Sequence, residues 1–241
     1  MQRSNSEADM SRKPSFLSRK ILLLAGAIAT LAGAAQIAAQ AKPNWQLTFS
    51  LSTKGGHIVG NPAAANKIVE YASYTCGHCA EFEEKDAPLV KAQLVATGNS
   101  SFEIRNLVRD PLDLTAAMLA RCGGKGRFFG NHKLLMATQA QWADGRKLSK
   151  PTIALLDAQN TIAFMQAAYG ELGLDKIMAQ RGITPVQAKA CLSNRPSFNA
   201  IIAMTDEAID VLKINATPTL FVNGKKIDGH EFSTLRQLIK N

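Results

Sequence analysis

Apolar and polar residues alternate in several short stretches of the chain, and these stretches predict β-strands. Residues 45–52 alternate as a half-buried strand does, and Gly55-Gly56 is expected to end that strand. Residues 67–72 form a β-branched and aromatic run suited to a central strand, and residues 101–108 are the next strand candidate. These stretches are therefore expected to pair in one sheet.

A helix is predicted between the second and third of these strands. From Cys79 onward, apolar residues such as Phe82, Val90 and Leu94 recur at roughly helical spacing, and Pro88 is expected to kink the helix. The charged residues between them, Glu83 included, are expected on its solvated face. Together these segments form a strand, helix and strand unit.

The remaining chain is mostly helical by pattern, with a strand pair near its end. From about residue 111 to 196 no strand is predicted, and Ala, Leu and Met recur at helical spacing in residues 113–122, 127–140, 158–170, 173–181 and 184–192. A helix over 197–212 then leads to a strand over 216–222, a hairpin turn at Asn223-Gly224, a return strand over 225–228 and a last helix from about 230 to 240. The prediction is an α/β fold with a helical insertion at about 111–196.

The motif Cys76-Gly77-His78-Cys79 lies where the predicted central strand turns into the helix. Free N–H groups and the helix dipole stabilise an anion at a helix N-terminus, so Cys76 is the candidate nucleophilic thiolate. Cys79 lies one turn further on the same face and is the candidate resolving thiol. The imidazole of His78 can favour the Cys76 thiolate electrostatically.

Other uses of a CxxC motif fit this sequence less well. Structural zinc needs four ligands, but no second cysteine pair has finger-like spacing, and His132 and His230 stand alone. Covalent c-type haem needs a histidine directly after the second cysteine, where this chain has Ala80. A purely structural four-residue disulfide remains an alternative. No metal and no cofactor is predicted.

Composition and charge describe an exported globular protein. Of 241 residues, 46% are hydrophobic and 20% charged, which excludes a disordered or fibrous chain. The formal net charge of +9 is scattered, so no nucleic-acid partner is predicted. Residues 1–41 carry Arg19-Lys20, an uncharged run and a small-x-small site at Ala39-Gln40-Ala41, as a signal peptide cleaved near Ala41 would. The alternative is an uncleaved membrane anchor.

Residues 70–82 around the CxxC motif, together with residues 216–224, resemble the DsbA-type thiol:disulfide oxidoreductases of the bacterial periplasm. The resemblance covers nearly the whole of residues 42–241 and implies a thioredoxin-like fold. It implies that Pro218 is a cis-proline facing the two cysteines and that Thr217 offers backbone hydrogen bonds to a substrate peptide. It also places Glu70 and Glu83 near the active site, as an alternative to the solvated position of Glu83, and a buried carboxylate at Glu70 can relay the proton of Cys79.

The function implied by this resemblance is a periplasmic oxidase that introduces disulfides into exported polypeptides with free thiols. A quinone-linked membrane partner would reoxidise it. Gly77 departs from the proline of the enterobacterial enzymes, so a disulfide isomerase or reductase remains an alternative, as does a non-catalytic exported chaperone on the same fold. Residues 42–66 are too few for a dimerisation domain, which favours a monomer.

The other two cysteines, Cys122 and Cys191, are expected to form a second, structural disulfide across the helical insertion. Both fall at the ends of predicted helices in the exported part of the chain, where disulfides persist. The alternative is a pair of buried reduced thiols that pack as small hydrophobic groups.

Overall fold

The computed structural model describes residues 43–239, which form one sheet with helices on its faces. The sheet has six strands in the order β1-β2-β4-β3-β5-β6. The strands are β1 (Phe49–Leu51), β2 (His57–Gly60), β3 (Asn66–Ala72), β4 (Ser100–Asn106), β5 (Thr219–Val222) and β6 (Lys225–Lys226). The signal peptide predicted for residues 1–41 lies outside the described residues.

Strand β3 lies at the centre of the sheet, as its β-branched and aromatic residues predict. It pairs in parallel with β4, where Glu70 is opposite Ile104, and antiparallel with β5, where Glu70 is opposite Leu220. Ile68 and Ala72 are buried. The carboxyl end of β3 therefore delivers the chain to the CxxC motif from the interior of the protein.

Eleven α-helices and two π-helical segments follow in the described residues. The helices are α1 (Gly77–Lys85), α2 (Ala87–Leu89), α3 (Pro111–Ala120), α4 (Lys125–Ala137), α5 (Gln139–Trp142), α6 (Lys150–Asp157), α7 (Thr161–Glu171), α8 (Leu174–Ala179), α9 (Pro185–Leu192), α10 (Arg195–Asp206) and α11 (Phe232–Leu238). The π-helical segments are Val90–Val95 and Glu207–Val211. The helix after the CxxC motif is interrupted at Asp86, two residues before Pro88.

Helices alone occupy the chain between β4 and β5 in the described residues, which confirms the α/β fold with a helical insertion. A disulfide joins Cys122, just after α3, to Cys191 in α9. The buried side chains of the insertion, including Phe128, Trp142 and Met165, belong to the same apolar core as the sheet. Among residues 43–239, no helix is long and apolar enough to cross a membrane.

The prediction of one strand over residues 45–52 was wrong. Trp45–Leu47 is a turn of 3₁₀-helix, and only Phe49–Leu51 is strand. Gly55-Gly56 forms the turn of a hairpin, since the Ser52 N–H donates to Gly56 O at 2.9 Å, and the chain returns as β2. Strand β2 was missed because four residues are too few to display a period.

Candidate active site

Both cysteines of the CxxC motif lie at the junction of β3 and α1. Cys76 is the N-cap of α1 in extended conformation, and Cys79 lies in the first turn of that helix. Both are free thiols in the structure, with exposed fractions of 5% for Cys76 and 0% for Cys79. Gly77 and His78 between them are exposed, so Cys76 lies just beneath the surface.

The Cys76 sulfur is surrounded by groups that favour its anion, and the pKa of Cys76 is lowered to about 4. The largest cause is the hydrogen bond from the Cys79 thiol, which outweighs the opposing effect of burial. The backbone N–H groups of Cys79 and His78 lower the pKa further. These N–H groups are the free donors of a helix N-terminus.

Cys79 has the opposite tendency, because its pKa is raised well above the ordinary value of a thiol. Burial is the largest cause, and the hydrogen bond to Cys76 and the nearby charges of Glu70 and Cys76 add to it. The backbone N–H of Ser73 lies 3.5 Å from the Cys79 sulfur and acts in the other direction. The two thiols of one motif therefore differ strongly in acidity.

The segment before β5 reaches the active site from the other end of the chain. The peptide bond between Thr217 and Pro218 is cis, and the carbonyl oxygen of Thr217 accepts a hydrogen bond from the Cys76 thiol at 3.1 Å. The side-chain hydroxyl of Thr217 is buried and has no partner in the structure. The fold thus brings Thr217 to Cys76 across 141 residues of chain.

Glu70 is a buried carboxyl group directly behind the cysteines. It lies on β3, is 1% exposed, and its Oε2 has no hydrogen-bond partner among residues 43–239. Its pKa is raised well above the ordinary value, first by burial and then by the charge of Glu83. Burial therefore favours the protonated form of this carboxyl group, whereas a negative charge on Glu70 raises the pKa of the nearby Cys79 thiol.

The expectation that Glu83 faces solvent was wrong. Glu83 is 3% exposed and turns into the protein, where its Oε1 accepts a hydrogen bond from Lys91 at 2.9 Å. Its Oε2 lies 3.5 Å from Nε2 of His132, and the Nδ1 of His132 is 2.9 Å from the hydroxyl of Tyr74. Helix α4 packs against this side of α1, which the spacing of residues along α1 did not reveal.

A carboxylate in the helical insertion fixes the loop before Cys76, and sequence reasoning missed it. Asp113 on α3 accepts hydrogen bonds from the Ser73 hydroxyl at 2.5 Å and from the Tyr74 N–H at 2.7 Å. Next to it, Asp110 accepts one from the Thr75 hydroxyl at 2.6 Å. Burial raises the pKa of Asp113 to about 7. Asp110-Pro111 is recognisable as a helix start, but no local signal connects it with residues 73–75.

The side chains of His78 and Cys122, which the sequence also singled out, lie outside the contacts around the two active-site sulfurs described above. His78 is exposed on α1, and the role predicted for its imidazole stays a prediction. Cys122 is buried in its disulfide with Cys191 and takes no part in the contacts of the CxxC motif given above. No group of three metal-binding side chains occurs in the part of the chain that the structure describes.

Comparisons with known proteins agree with this geometry. The family model described as Thioredoxin matches residues 52–241. A crystal structure of protein-disulfide isomerase from Novosphingobium aromaticivorans is 33% identical, covers 76% of this chain and 95% of its own, and superposes with a TM-score of 0.70. The crystal structure of alpha-DsbA1 from Wolbachia pipientis is 23% identical, covers 81% and 94% of the two chains, and has a TM-score of 0.62, which supports the fold.

Curated relatives are longer than the segment that matches. A protein of Rickettsia typhi named "Putative protein-disulfide oxidoreductase" is 27% identical over 183 residues, which are 76% of this chain and 60% of that protein. The match thus spans well under two thirds of the relative's length. Residues 52–241, which the family model matches, contain the strand, CxxC helix, helical insertion and cis-proline segment described above. The chain belongs to the thioredoxin family and has the DsbA-like form of its fold.

Proposed function

We propose that this protein is a thiol:disulfide oxidoreductase that introduces disulfide bonds into exported proteins through Cys76 and Cys79. The observation that carries the proposal is the different placement of the two thiols: Cys76 caps the N-terminus of α1 beside the Thr217 carbonyl, whereas Cys79 is fully buried. Their pKa values shift accordingly, with Cys76 favouring the thiolate and Cys79 the thiol. A dithiol whose outer thiolate is stabilised is stabilised in its reduced form, so its disulfide is a strong oxidant. The same asymmetry assigns separate roles to the two sulfurs.

The reaction begins with the disulfide between Cys76 and Cys79. A substrate thiolate attacks the Cys76 sulfur, the bond between the two cysteines breaks, and Cys79 leaves and takes up a proton. The substrate's second thiolate then attacks the substrate sulfur of the mixed disulfide and displaces Cys76 as a thiolate. The substrate loses two electrons and gains a disulfide, and the protein is left with two reduced cysteines.

Three neighbouring residues support this exchange. Glu70, whose burial favours the protonated form, supplies the proton that Cys79 needs as it leaves, and takes it back in the reverse step. Thr217, whose carbonyl already faces the Cys76 sulfur, offers backbone hydrogen bonds to the substrate next to its cysteine, and Pro218 keeps this segment beside the motif.

The proposed site of action is the periplasm. Support comes from the signal-like pattern of residues 1–41 and from the disulfide between Cys122 and Cys191, which requires an oxidising compartment. There the substrates are folding polypeptides with free thiols, and a quinone-linked membrane protein reoxidises the reduced form. The oxidoreductase acts as a monomer.

Disulfide isomerisation is the second candidate, because the relative from Novosphingobium aromaticivorans, at 33% identity, carries the name of an isomerase. An isomerase works from its reduced form and attacks substrate disulfides with the same outer thiolate. The low pKa of Cys76 suits both activities, so the redox potential distinguishes them.

The first prediction is a redox potential well above the value of about −270 mV that is typical of thioredoxin. The physical reason is the stabilised Cys76 thiolate of the reduced form. Equilibration with mixtures of reduced and oxidised glutathione measures the potential, and mixing the oxidised protein with a two-cysteine model peptide checks that the disulfide is transferred. A potential at or below that of thioredoxin, together with no oxidation of the peptide, would contradict an oxidase.

The second prediction concerns Glu70. Glu70→Gln removes the acidic proton but keeps the shape, so attack of a thiol on the disulfide is expected to slow on the order of a hundredfold near neutral pH. Stopped-flow fluorescence with a reduced model peptide measures the rate. Glu84→Gln is the matched control, because it makes the same substitution at an exposed glutamate on α1. An unchanged rate in Glu70→Gln would remove Glu70 from the mechanism.

Glu70→Gln is also expected to change stability, and here the variant should gain at high pH although its exchange rate falls. Folding raises the pKa of Glu70 above the value of 4.5 taken for a free glutamate, so ionisation of this group costs folding free energy as the pH rises. Glu70→Gln is therefore expected to raise the free energy of unfolding of the reduced protein at pH 8. At pH 4 the wild type and the variant are expected to have similar free energies of unfolding. Urea unfolding at both pH values measures this. A variant less stable than the wild type at pH 8 would contradict the burial of a neutral acid.

A further inference from the structure

Gln139 connects the helical insertion with the backbone of the CxxC motif. It is the first residue of α5 and is partly buried. Its side-chain Nε2 donates a hydrogen bond to the carbonyl oxygen of Tyr74 at 2.8 Å and another to that of Cys76 at 2.9 Å. One amide group thus binds two carbonyls of the loop that presents the Cys76 sulfur.

The second of these carbonyls has a special place in the loop. The Cys76 carbonyl also accepts the first hydrogen bond of α1, from the Ala80 N–H at 3.2 Å. The peptide group that follows Cys76 therefore has its oxygen fixed from two sides. The N–H groups of His78 and Cys79, which favour the thiolate, belong to the next peptides along the chain. Fixing the Cys76 carbonyl consequently fixes the direction in which these donors point.

Gln139 is not needed to attach α5 to the protein. Trp142, three residues further on, is fully buried, and its indole N–H donates to the carbonyl oxygen of Leu135 at 3.0 Å. Moreover, Gln139 lines a cleft of about 590 Å³ between α1 and α4, together with Gly77 and Met136. Water can enter this cleft, so the two carbonyls can be hydrated when the amide is removed. A truncated variant should therefore fold.

We propose that Gln139 is a positioning residue of the redox site: its amide orients the backbone around Cys76 so that the helix N–H groups meet the sulfur. The proposal rests on the proposed function, because it concerns the reactive form of Cys76. It differs from the action of Asp113, which binds the loop upstream of Cys76 and not its carbonyl. In this arrangement the helical insertion takes part directly in setting the reactivity of the CxxC motif.

The third prediction tests this role with Gln139→Ala. Loss of the two hydrogen bonds is expected to let the loop relax, so the midpoint of Cys76 ionisation rises by about one pH unit. Thiolate absorbance near 240 nm during a pH titration of the reduced protein measures the midpoint. The reduced form loses the corresponding factor of about ten in stability, which lowers the redox potential by about 30 mV against glutathione.

Three further variants separate geometry from charge and from general stability. Gln141→Ala is the matched control, because Gln141 is exposed on the same helix and none of its side-chain atoms forms a hydrogen bond in the structure. It should leave both the titration and the potential unchanged. Gln139→Glu keeps the chain length but replaces the donor by an oxygen, so it should shift the midpoint upward at least as far as alanine does. Gln141→Glu is the control for Gln139→Glu, because it places the same negative charge at an exposed position of α5.

These measurements decide whether Gln139 orients the backbone around Cys76 or only packs against it. If Gln139→Ala lowers the melting temperature but leaves the Cys76 midpoint and the redox potential at the wild-type values, Gln139 only packs, and the proposal is overturned. The same holds if both glutamate variants shift the midpoint equally. Failure of the proposed function gives a different result, because wild-type protein would then not exchange its disulfide with peptides although its Cys76 titration could still be measured.

Discussion

Cys79→Ser is expected to accumulate substrates as long-lived mixed disulfides on Cys76, whereas Cys76→Ser is expected to accumulate none. Both variants should lose turnover completely. The reason lies in the structure of the motif: Cys76 is at the helix N-terminus with a pKa of about 4, while Cys79 is fully buried and its pKa is raised. We therefore expect Cys76 to carry the bond to a substrate and Cys79 to resolve that bond from within the protein.

The variants are incubated with disulfide-linked peptides: the Cys76 thiolate attacks a peptide disulfide, forms the mixed disulfide and releases the other peptide as a thiolate. Non-reducing electrophoresis followed by mass spectrometry measures the trapped species. A labelling experiment checks the assignment independently. At pH 6 the Cys76 thiolate predominates and Cys79 is protonated, so iodoacetamide should modify Cys76 in the reduced wild-type protein. Preferential modification of Cys79, or trapping by Cys76→Ser, would reverse the roles assigned to the two sulfurs.

Replacing Cys122 and Cys191 together by alanine is expected to lower the free energy of unfolding by about 4 kcal/mol. The disulfide closes a long loop, with a sequence separation of 69 residues, and the chain-entropy model gives a stabilisation of this size at that length. The loss is a large fraction of the stability of a typical domain. Chemical unfolding with the CxxC motif in one defined redox state measures it.

The bond itself is checked by peptide mapping of unreduced protein. Free thiols at Cys122 and Cys191 after air oxidation would contradict the disulfide and would support the alternative of two buried thiols. The double variant also provides a functional control. Because neither sulfur belongs to the contacts of Cys76, the variant should still oxidise a model peptide under conditions in which it is folded. Loss of that activity in a folded variant would show that the second disulfide takes part in electron transfer.

The buried carboxyl groups illustrate why the active site was only partly predictable. Glu70 was expected on a buried strand because residues 67–72 have the composition of a central strand, and burial follows from that position. Glu83 was assigned to solvent because charged residues surround it on α1. Helical periodicity describes which residues share a face, but it does not reveal that α4 covers that face and supplies His132. A pairwise contact between distant segments leaves no local pattern.

What the sequence by itself determined is local. The Cys76-x-x-Cys79 spacing after a β-branched run places two sulfurs in the first turn of a helix, because the helix period and the free N–H groups at its start depend only on neighbouring residues. The strand, helix and strand unit, the helical insertion and the Asn223-Gly224 hairpin follow from the same short-range rules.

The tertiary structure alone decided which residues surround those sulfurs. Thr217 reaches Cys76 from 141 residues away, and Gln139 and Asp113 bind the same loop from the insertion over separations of 63 and 40 residues. Each of these contacts depends on how whole helices and strands pack, which is a property of shape and volume rather than of spacing along the chain. The acidity of the two thiols depends on this packing, because burial and hydrogen-bond donors brought from distant segments shift their pKa values.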